Sequence, residues 1–499
     1  MEFELDCVFL LSSDAKGVNF DRILGNLGDI LSRGAPDGKG AKIDEFHVDG
    51  NRLKIKIKST RYVRPHEAVF RLRKFLSREL GKHRIGIRRI FAPSYEIKFI
   101  LEKEPKKSIS VPFAHLKFDN KECHIYLENL DEEFLRRNYV DRIIKLINEK
   151  IERQYYEGKE EYWELIWQSK PRRHFFDKDP TREMVRRNWI MHRGRGQWIF
   201  GPIPTKIMRT MEEIVIDELI KPLNFNEVII PKAVTWDVWK RSGHAKNLYG
   251  EIYYLCPPMK RDPEFWEDVI DMYRITGKVP TDMIKERIRE PIGGMTYAQC
   301  PPLWPYFQGR TIADESLPIR VFDRSGTSMR YESGGIHGIE RVDEFHRIEM
   351  VWIGYPEQVR KTHGEIIERY RIIFNKILEL EWRMARVTPW FMAQEGIINV
   401  EDKEKVIGTI DFEAYLPYRG SREESEWLEF QNASNNGDKY TRGFNVKSQT
   451  GEQLHSGCTG VGLERWLAVF LAQKGFDMDN WPKEFLRRLG NLPEGIRFL

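Results

Sequence analysis

Leu53, Ile55 and Ile57 alternate with Lys54, Lys56 and Lys58, and this period of two predicts a strand with one buried face and one lysine face. The period then lengthens. After Pro65, the apolar positions Val69, Leu72, Leu76 and Leu80 recur every three or four residues, which predicts a helix over 65–80 that projects Arg71, Arg73, Lys74 and Arg78 away from its buried stripe. Residues 3–11, 85–91, 95–102 and 122–127 read as further strands, 21–33 and 131–153 as helices. These elements predict an α+β domain over 1–165 with one cationic side. The next stretch, YYEGKEEYWELIWQSKPRRHFFDKDP, reads as a connection, with the linker placed at 166–184. Over 185–499 the pattern gives a helix at 203–219, a strand ended by Pro231, two short helices at 263–276 and 281–290, and a long helix at 357–386. Strand-like runs fall near 295–299, 318–324, 328–332, 347–353, 408–416, 426–431 and 443–448, and a last helix begins after Gly462. So many strands before a terminal helix predict a large antiparallel sheet flanked by helices.

Composition narrows the class. At 499 residues, 41% hydrophobic and 31% charged, the chain is globular and divides into two or three domains. No run of about 18 apolar residues is present to span a bilayer, and the acidic start MEFELD lacks the cationic region of a secretory signal. Five widely separated cysteines, Cys7, Cys123, Cys256, Cys300 and Cys458, suit a reduced compartment better than a disulfide framework, so the cytoplasm is expected. The net charge of +5 conceals a strongly uneven distribution. Residues 51–90 carry fourteen Lys and Arg against Glu67 and Glu79, a local charge of +12 on a remainder of −7.

The segment SMRYESGGIHGIERVDEFHRIE reads as a strand, a glycine-rich turn and a returning strand, with Arg330 and Glu332 on one face because they are two apart. A guanidinium there can clamp a phosphate, the glutamate can accept from an exocyclic amine, and Arg341 and Phe345 can stack on a base. A surface hairpin with a cross-strand ion pair fits the same pattern. Near the C-terminus, Gly462-Leu463-Glu464-Arg465 opens a helix and sets Arg465 near its anion-attracting end.

Taken in order, Pro231 after NEVII, Arg330-Tyr331-Glu332 with the loop to Arg341 and Phe345, and Gly462-Leu463-Glu464-Arg465 resemble motifs 1, 2 and 3 of the class II aminoacyl-tRNA synthetases. The resemblance covers residues 190 to 490 and implies an antiparallel-sheet catalytic domain and a homodimer formed through motif 1. It also implies bent ATP bound through Arg330, Tyr331, Glu332, Arg341, Val342, Phe345, Glu429 and Arg465. GIERVDEFHRIE is similar to the seryl and threonyl branches. EWLEFQNASNNGDKYTRGF is similar to the seryl segment that holds magnesium, which falls here on Glu429 and Asn432. Ordinary seryl enzymes begin with a helical coiled-coil arm and lack a cysteine where this chain has MTYAQCPPLW. Those two departures, with the basic domain in front, resemble the zinc-dependent seryl type of methanogenic archaea. That resemblance implies zinc on Cys300, Glu349 and Cys458, and serine contacted by Ala298, Arg330, Arg347, Glu349 and Asn432. Trp390 and Gln394 would shape the pocket wall, although a packed turn explains them nearly as well. For Cys7, Cys123 and Cys256 a buried, unliganded thiol is the expectation, and for His337 and His455 a solvated or packed ring.

The activity so implied is serine activation by ATP, with Arg330 and Arg465 offsetting charge in the transition state, followed by transfer to tRNA(Ser), and tRNA(Sec) as a second acceptor. Lys54, Lys56, Lys58, Arg71, Arg73, Lys74 and Arg78 would supply a sequence-independent phosphate grip. The helices near 263–290 resemble a helix-turn-helix insertion, at about 257–292, of the same type. Their acidic residues make DNA an unexpected partner, and dimer contacts or serine-site positioning the expected role. Two other readings compete. A threonyl-type synthetase would use histidine ligands, yet Ser456 stands nine before Arg465 where one is needed. A non-catalytic paralogue that binds RNA would not require Arg330, Glu332, Glu429 and Arg465 together.

Overall fold

Glu2–Leu11 turns Phe3, Leu5, Cys7, Phe9 and Leu11 inward and becomes a central strand because both of its edges find partners. The computed structural model describes residues 1–496 other than 26, 37, 156–162, 333 and 388–407. The chain falls into two units, Met1–Glu160 and Glu161–Leu499. In the first, six antiparallel strands run in the order Lys42–Asp49, Arg52–Thr60, Glu2–Leu11, Ile87–Ile100, Glu122–Asp131 and His115–Asp119. Leu53, Ile55 and Ile57 face inward and share one core with Val69, Leu72, Leu76 and Leu80 of the helix Pro65–Gly81.

Some boundaries differ from the expected ones. The stretches 85–91 and 95–102 form one strand, Ile87–Ile100, whose irregular register against Glu2–Leu11 accommodates the change of pattern between them. The helix expected over 131–153 is divided into Glu132–Arg136 and Tyr139–Arg153 by Asn138, whose φ of 53° interrupts the helical path. The helix expected over 21–33 is likewise two short pieces, Phe20–Leu24 and Gly28–Leu31.

The second unit holds a nine-stranded sheet. Its order is Asn226–Glu227, Ile319–Asp323, Glu344–Gly354, His455–Gly462, Leu428–Gly437, Gly408–Ala414, Trp382–Val387 and Trp163–Gln168, with Thr327–Met329 attached to Glu344–Gly354. All pairs are antiparallel except Asn226–Glu227 with Ile319–Asp323. Pro202–Val215, Pro356–Ile372 and Leu463–Lys474 bury their apolar sides with Trp352, Trp382, Phe412 and Trp466 in one core. Within the expected insertion lie the helices Pro263–Thr276 and Thr281–Lys285, separated by Gly277 at φ 66°.

Two expectations are corrected. Residues 163–168, read as connection, are the sheet's edge strand, since Trp163–Gln168 pairs with Trp382–Val387. The helix expected over 357–386 runs only to Ile377, counting its last wide turn, and the chain then returns as the strand Trp382–Val387. There Trp382 and Met384 are buried in the core while Arg383 pairs with Glu413 at 2.5 Å, so the helical spacing gives way to a two-faced strand. No helix among the described residues is long and apolar enough to cross a membrane.

Candidate active site

Glu349 and Cys458 sit on neighbouring antiparallel strands. Glu349 is opposite Gly460 and Cys458 is opposite Val351, so both side chains leave the same face of the sheet. Cys300 arrives separately, just before the helical turn Pro301–Tyr306. The two sulfurs and a Glu349 carboxylate oxygen lie within 4.8 Å of one another. Cys300 and Glu349 are buried and Cys458 is half-buried.

The surroundings fix this cluster. Arg347 Nε donates to Glu349 Oε2 at 2.6 Å. The guanidinium fits because residue 460 is glycine, as a Cβ there would come within 2.0 Å of Arg347 Nε. Asn436 Nδ2 donates to Cys458 Sγ at 3.4 Å, and the Tyr440 hydroxyl lies 3.5 Å from Cys300 Sγ with its ring stacked on Trp304. Contact with Cys458 and burial push the Cys300 thiol well above its ordinary range. Burial raises the Glu349 carboxyl too, against the pull of Arg347. Glu349 Oε1 is buried with no hydrogen-bond partner among the described residues, at a cost of about 1–3 kcal/mol. Two thiols and an orphaned carboxylate oxygen form a donor set that fits zinc with three protein ligands.

Beside this lies the Arg330 segment. The strand expected to carry Arg330 and Glu332 ends at Met329, so single hydrogen bonds to distant groups, rather than a strand ladder, hold residues 330–332. Arg330 N donates to Asp343 O at 2.8 Å, Tyr331 N to Glu251 O at 3.0 Å, and Glu332 N to Asp343 Oδ1 at 2.9 Å. Arg330 Nη2 contacts Glu251 Oε2 at 3.0 Å. Buried Asp343 is gripped by Arg195, whose Nη1 donates to both carboxylate oxygens at 2.8 and 2.6 Å, and by the Tyr253 hydroxyl. The same guanidinium covers the Tyr331 ring at 3.8 Å from its centroid. Gly196, at φ 59°, permits this docking, since a Cβ would lie 2.3 Å from Asp343 N. Arg341 and Phe345 are partly buried and Val342 is buried; Phe345 is opposite Ser328.

A third group forms on Leu428–Gly437. Residues 429 and 432 are an odd number apart and in a regular strand would point oppositely. A register shift against Phe412 and Glu413 inserts one residue, and Asn432 Nδ2 then donates to Glu429 Oε1 at 3.1 Å. Arg465 Nη1 donates to Glu429 O at 2.9 Å and Oε2 at 3.2 Å, and its Nε to Glu340 O at 3.0 Å. Glu464 accepts from His346 N and Nδ1, tying the helix start to the strand.

Ala298 lies two residues before Cys300, its carbonyl accepting from Thr296 Oγ1 at 2.7 Å. Trp390 and Gln394 lie outside the described residues. Cys7 and Cys123 are buried, whereas Cys256 is partly exposed; all are free thiols. His337 is half-exposed near Glu340. Arg195, Tyr253, Glu251 and Asp343 escaped the sequence reading. The first three lie outside the matched motifs, and the one usable signal was Asp343 within the motif 2 loop.

In the first unit the lysine face is crossed by acids. Lys56 pairs with Glu4 at 2.6 Å, and Lys58 with Asp44 at 2.9 Å and Glu4 at 3.6 Å, because the register sets Glu4 opposite Lys58 and Asp6 opposite Lys56. Lys54 is opposite Val8 and His47. Arg73 pairs with Glu132, and Arg71 Nη1 donates to Leu31 O and Arg33 O. Lys74 and Arg78 are exposed on the helix.

Known proteins resemble the chain over both units. Residues 1–149 match a family described as a tRNA-binding domain, and residues 295–474 the tRNA synthetase class II core domain (G, H, P, S and T). The type-2 serine–tRNA ligase of Methanothrix thermoacetophila is 52% identical over 512 residues, covering 100% of both chains. That of Methanopyrus kandleri is 34% identical, covering 93% of this chain and 92% of its own. The crystal structure of A. aeolicus tRNASec in complex with M. kandleri SerRS matches with a TM-score of 0.88 at 32% identity, covering 100% of this chain and 99% of that one. With full-length likeness at this identity, the chain belongs to the type-2 serine–tRNA ligases.

Proposed function

We propose that this chain activates L-serine with ATP and transfers it to tRNA(Ser) in the cytoplasm as a homodimer, and that tRNA(Sec), named for the structural relative from M. kandleri, is a second acceptor. The observation that carries the reading is the convergence of Cys300, Glu349 and Cys458 within 4.8 Å, with one glutamate oxygen lacking a partner. A zinc ion held by these three groups would keep one coordination position open for the amino group of serine. Ala298, Arg330, Arg347 and Asn432 border the remainder of the amino acid.

The carboxylate of serine attacks the α-phosphorus of ATP and pyrophosphate leaves; a ribose hydroxyl of tRNA then attacks the carbonyl of the adenylate and AMP leaves. No protein nucleophile is needed. Arg330 and Arg465 stabilise charge on the transferring phosphoryl group, and both are pre-oriented, by Glu251 and Glu429. Tyr331, Glu332, Arg341, Val342 and Phe345 form the base and ribose side of the ATP site. Magnesium on Glu429 and Asn432 would offset the charge of the leaving pyrophosphate. The helices at 263–285 belong to an insertion at about 257–292 that serves dimer contact or serine-site positioning. In domain terms, the unit Met1–Glu160 grips tRNA through phosphates and 185–499 forms the adenylate.

Exchange of pyrophosphate into ATP, run with each of the twenty amino acids beside metal analysis, tests this. Serine-dependent exchange with about one zinc per chain is expected. Exchange stimulated by threonine instead, or an active metal-free protein, would overturn it.

A further inference from the structure

Phe113 violates a local rule without an evident reward. It occupies the third position of the turn Val111-Pro112-Phe113-Ala114, closed by a bridge between Val111 and Ala114, with φ at 70°. A turn with a positive φ at that position takes glycine or asparagine, because a Cβ there meets the backbone. Burial could offset the strain, yet Phe113 is 70% exposed. The ring is nevertheless held. It meets Phe134 edge-on with centroids 5.6 Å apart, and Phe134 in turn meets Tyr139 at 5.2 Å. Arg142 lies over the Tyr139 ring at 5.5 Å.

Two further arginines follow Phe134 closely in the chain. Arg136 and Arg137, two and three residues after Phe134, have side chains 60% and 62% exposed and pair with Glu132 and Glu133, while Arg136 also lies over the Phe70 ring at 4.9 Å from its centroid. Such surface pairs contribute about 0–1 kcal/mol and exchange readily for a phosphate. Residues 1–150 as a whole carry 30 Lys and Arg against 23 Asp and Glu.

We propose that Phe113 is a stacking platform for an unpaired nucleobase of bound tRNA, with Arg136, Arg137 and Arg142 taking the adjoining phosphates. The proposal rests on the reading of the chain as a tRNA ligase and deepens it. A strained, exposed aromatic beside loosely engaged guanidinium groups is the arrangement that single-stranded RNA uses, since every base offers a π-face.

The test uses the full-length protein with Phe113→Gly, Phe113→Trp and the pair Arg136→Ala with Arg137→Ala. Phe113→Gly relieves the backbone, so folding stability should hold or rise, while tRNA affinity falls about tenfold or more at an unchanged salt slope. Phe113→Trp should retain affinity. The arginine pair should lower the slope of log affinity against log salt by about two. Serine-dependent pyrophosphate exchange should be unaltered throughout. Full tRNA affinity in a folded Phe113→Gly would overturn the proposal. So would a change of oligomeric state on sedimentation with tRNA binding intact, which would assign the ring to a protein contact. Failure of the unmodified protein to bind tRNA would overturn the ligase reading instead.

Discussion

The two units handle charge in opposite ways. On the sheet of Met1–Glu160, Lys56 and Lys58 meet Glu4 and Asp44 at 2.6 and 2.9 Å, and the face is largely neutralised by its own neighbours. Within Glu161–Leu499, Glu349 is buried with two thiols and accepts from Arg347 on one oxygen, leaving the other without a hydrogen-bond partner among the described residues. A neutralised surface demands no ligand; an incompletely compensated buried donor set does. The contrast ranks the residues singled out for binding, since those in the second cluster should be far less replaceable than the lysines.

The sharpest break of that contrast is Cys300→Ala or Glu349→Gln. Either should abolish zinc retention and lower serine-dependent exchange by more than about a hundredfold, read by metal analysis beside exchange kinetics. Next, a chain lacking residues 1–160 should exchange normally yet fail to charge tRNA. Removing residues 1–168 should in addition lower the thermal midpoint, because the edge strand Trp163–Gln168 goes with it. Third, Arg195→Ala should reduce exchange by roughly 10- to 100-fold, mostly in kcat and with zinc content intact, as displacement of the Arg330 segment by about 1 Å carries such a penalty. Charging assays with Lys56→Glu should show less than about a threefold loss, as expected where an exposed ion pair is worth about 0–1 kcal/mol. A loss as large as that from Cys300→Ala would erase the distinction between the units.

The smallest effect concerns acid. His66 is buried against the Tyr95 hydroxyl, and burial lowers its pKa from near 6.5 to about 4. Between those values the unfolded chain binds the extra proton, so stability of the first unit should fall as pH drops from 6.5 to 4 and be flat above. Glu381 behaves differently. Although burial opposes ionisation, His174 and Arg422 hold its pKa at about 2. Its contribution is therefore complete above pH 4.5 and lost as pH falls towards 2. Thermal unfolding against pH, with His66→Gln removing the upper slope, checks both.

Much of this was legible along the chain. Leu53, Ile55 and Ile57 announce a buried strand face, and the helix expected at 65–80 lies within a residue of Pro65–Gly81. Cys300, Glu349 and Cys458 could be named because each sits in a recognisable segment. The misplaced elements share a cause. Residues 163–168 read as a connection because they become a strand only against Trp382–Val387, and 382–386 read as a helix end because they become one only between that segment and Gly408–Ala414. Neither segment carries its pairing in its own periodicity.

Sequence alone determined the kinds of side chain available and the face each would occupy inside its own element, since periods of 2 and 3.6 follow from backbone geometry. It also determined membership of a family, through the order of short motifs. Only the tertiary structure decided what each face meets. A one-residue bulge turned Glu429 and Asn432 to the same side, strand register brought Glu4 onto the lysines, and a distant hairpin delivered Arg195 to Asp343. Register and long-range closure are cooperative properties of the whole core, and no local window of residues contains them.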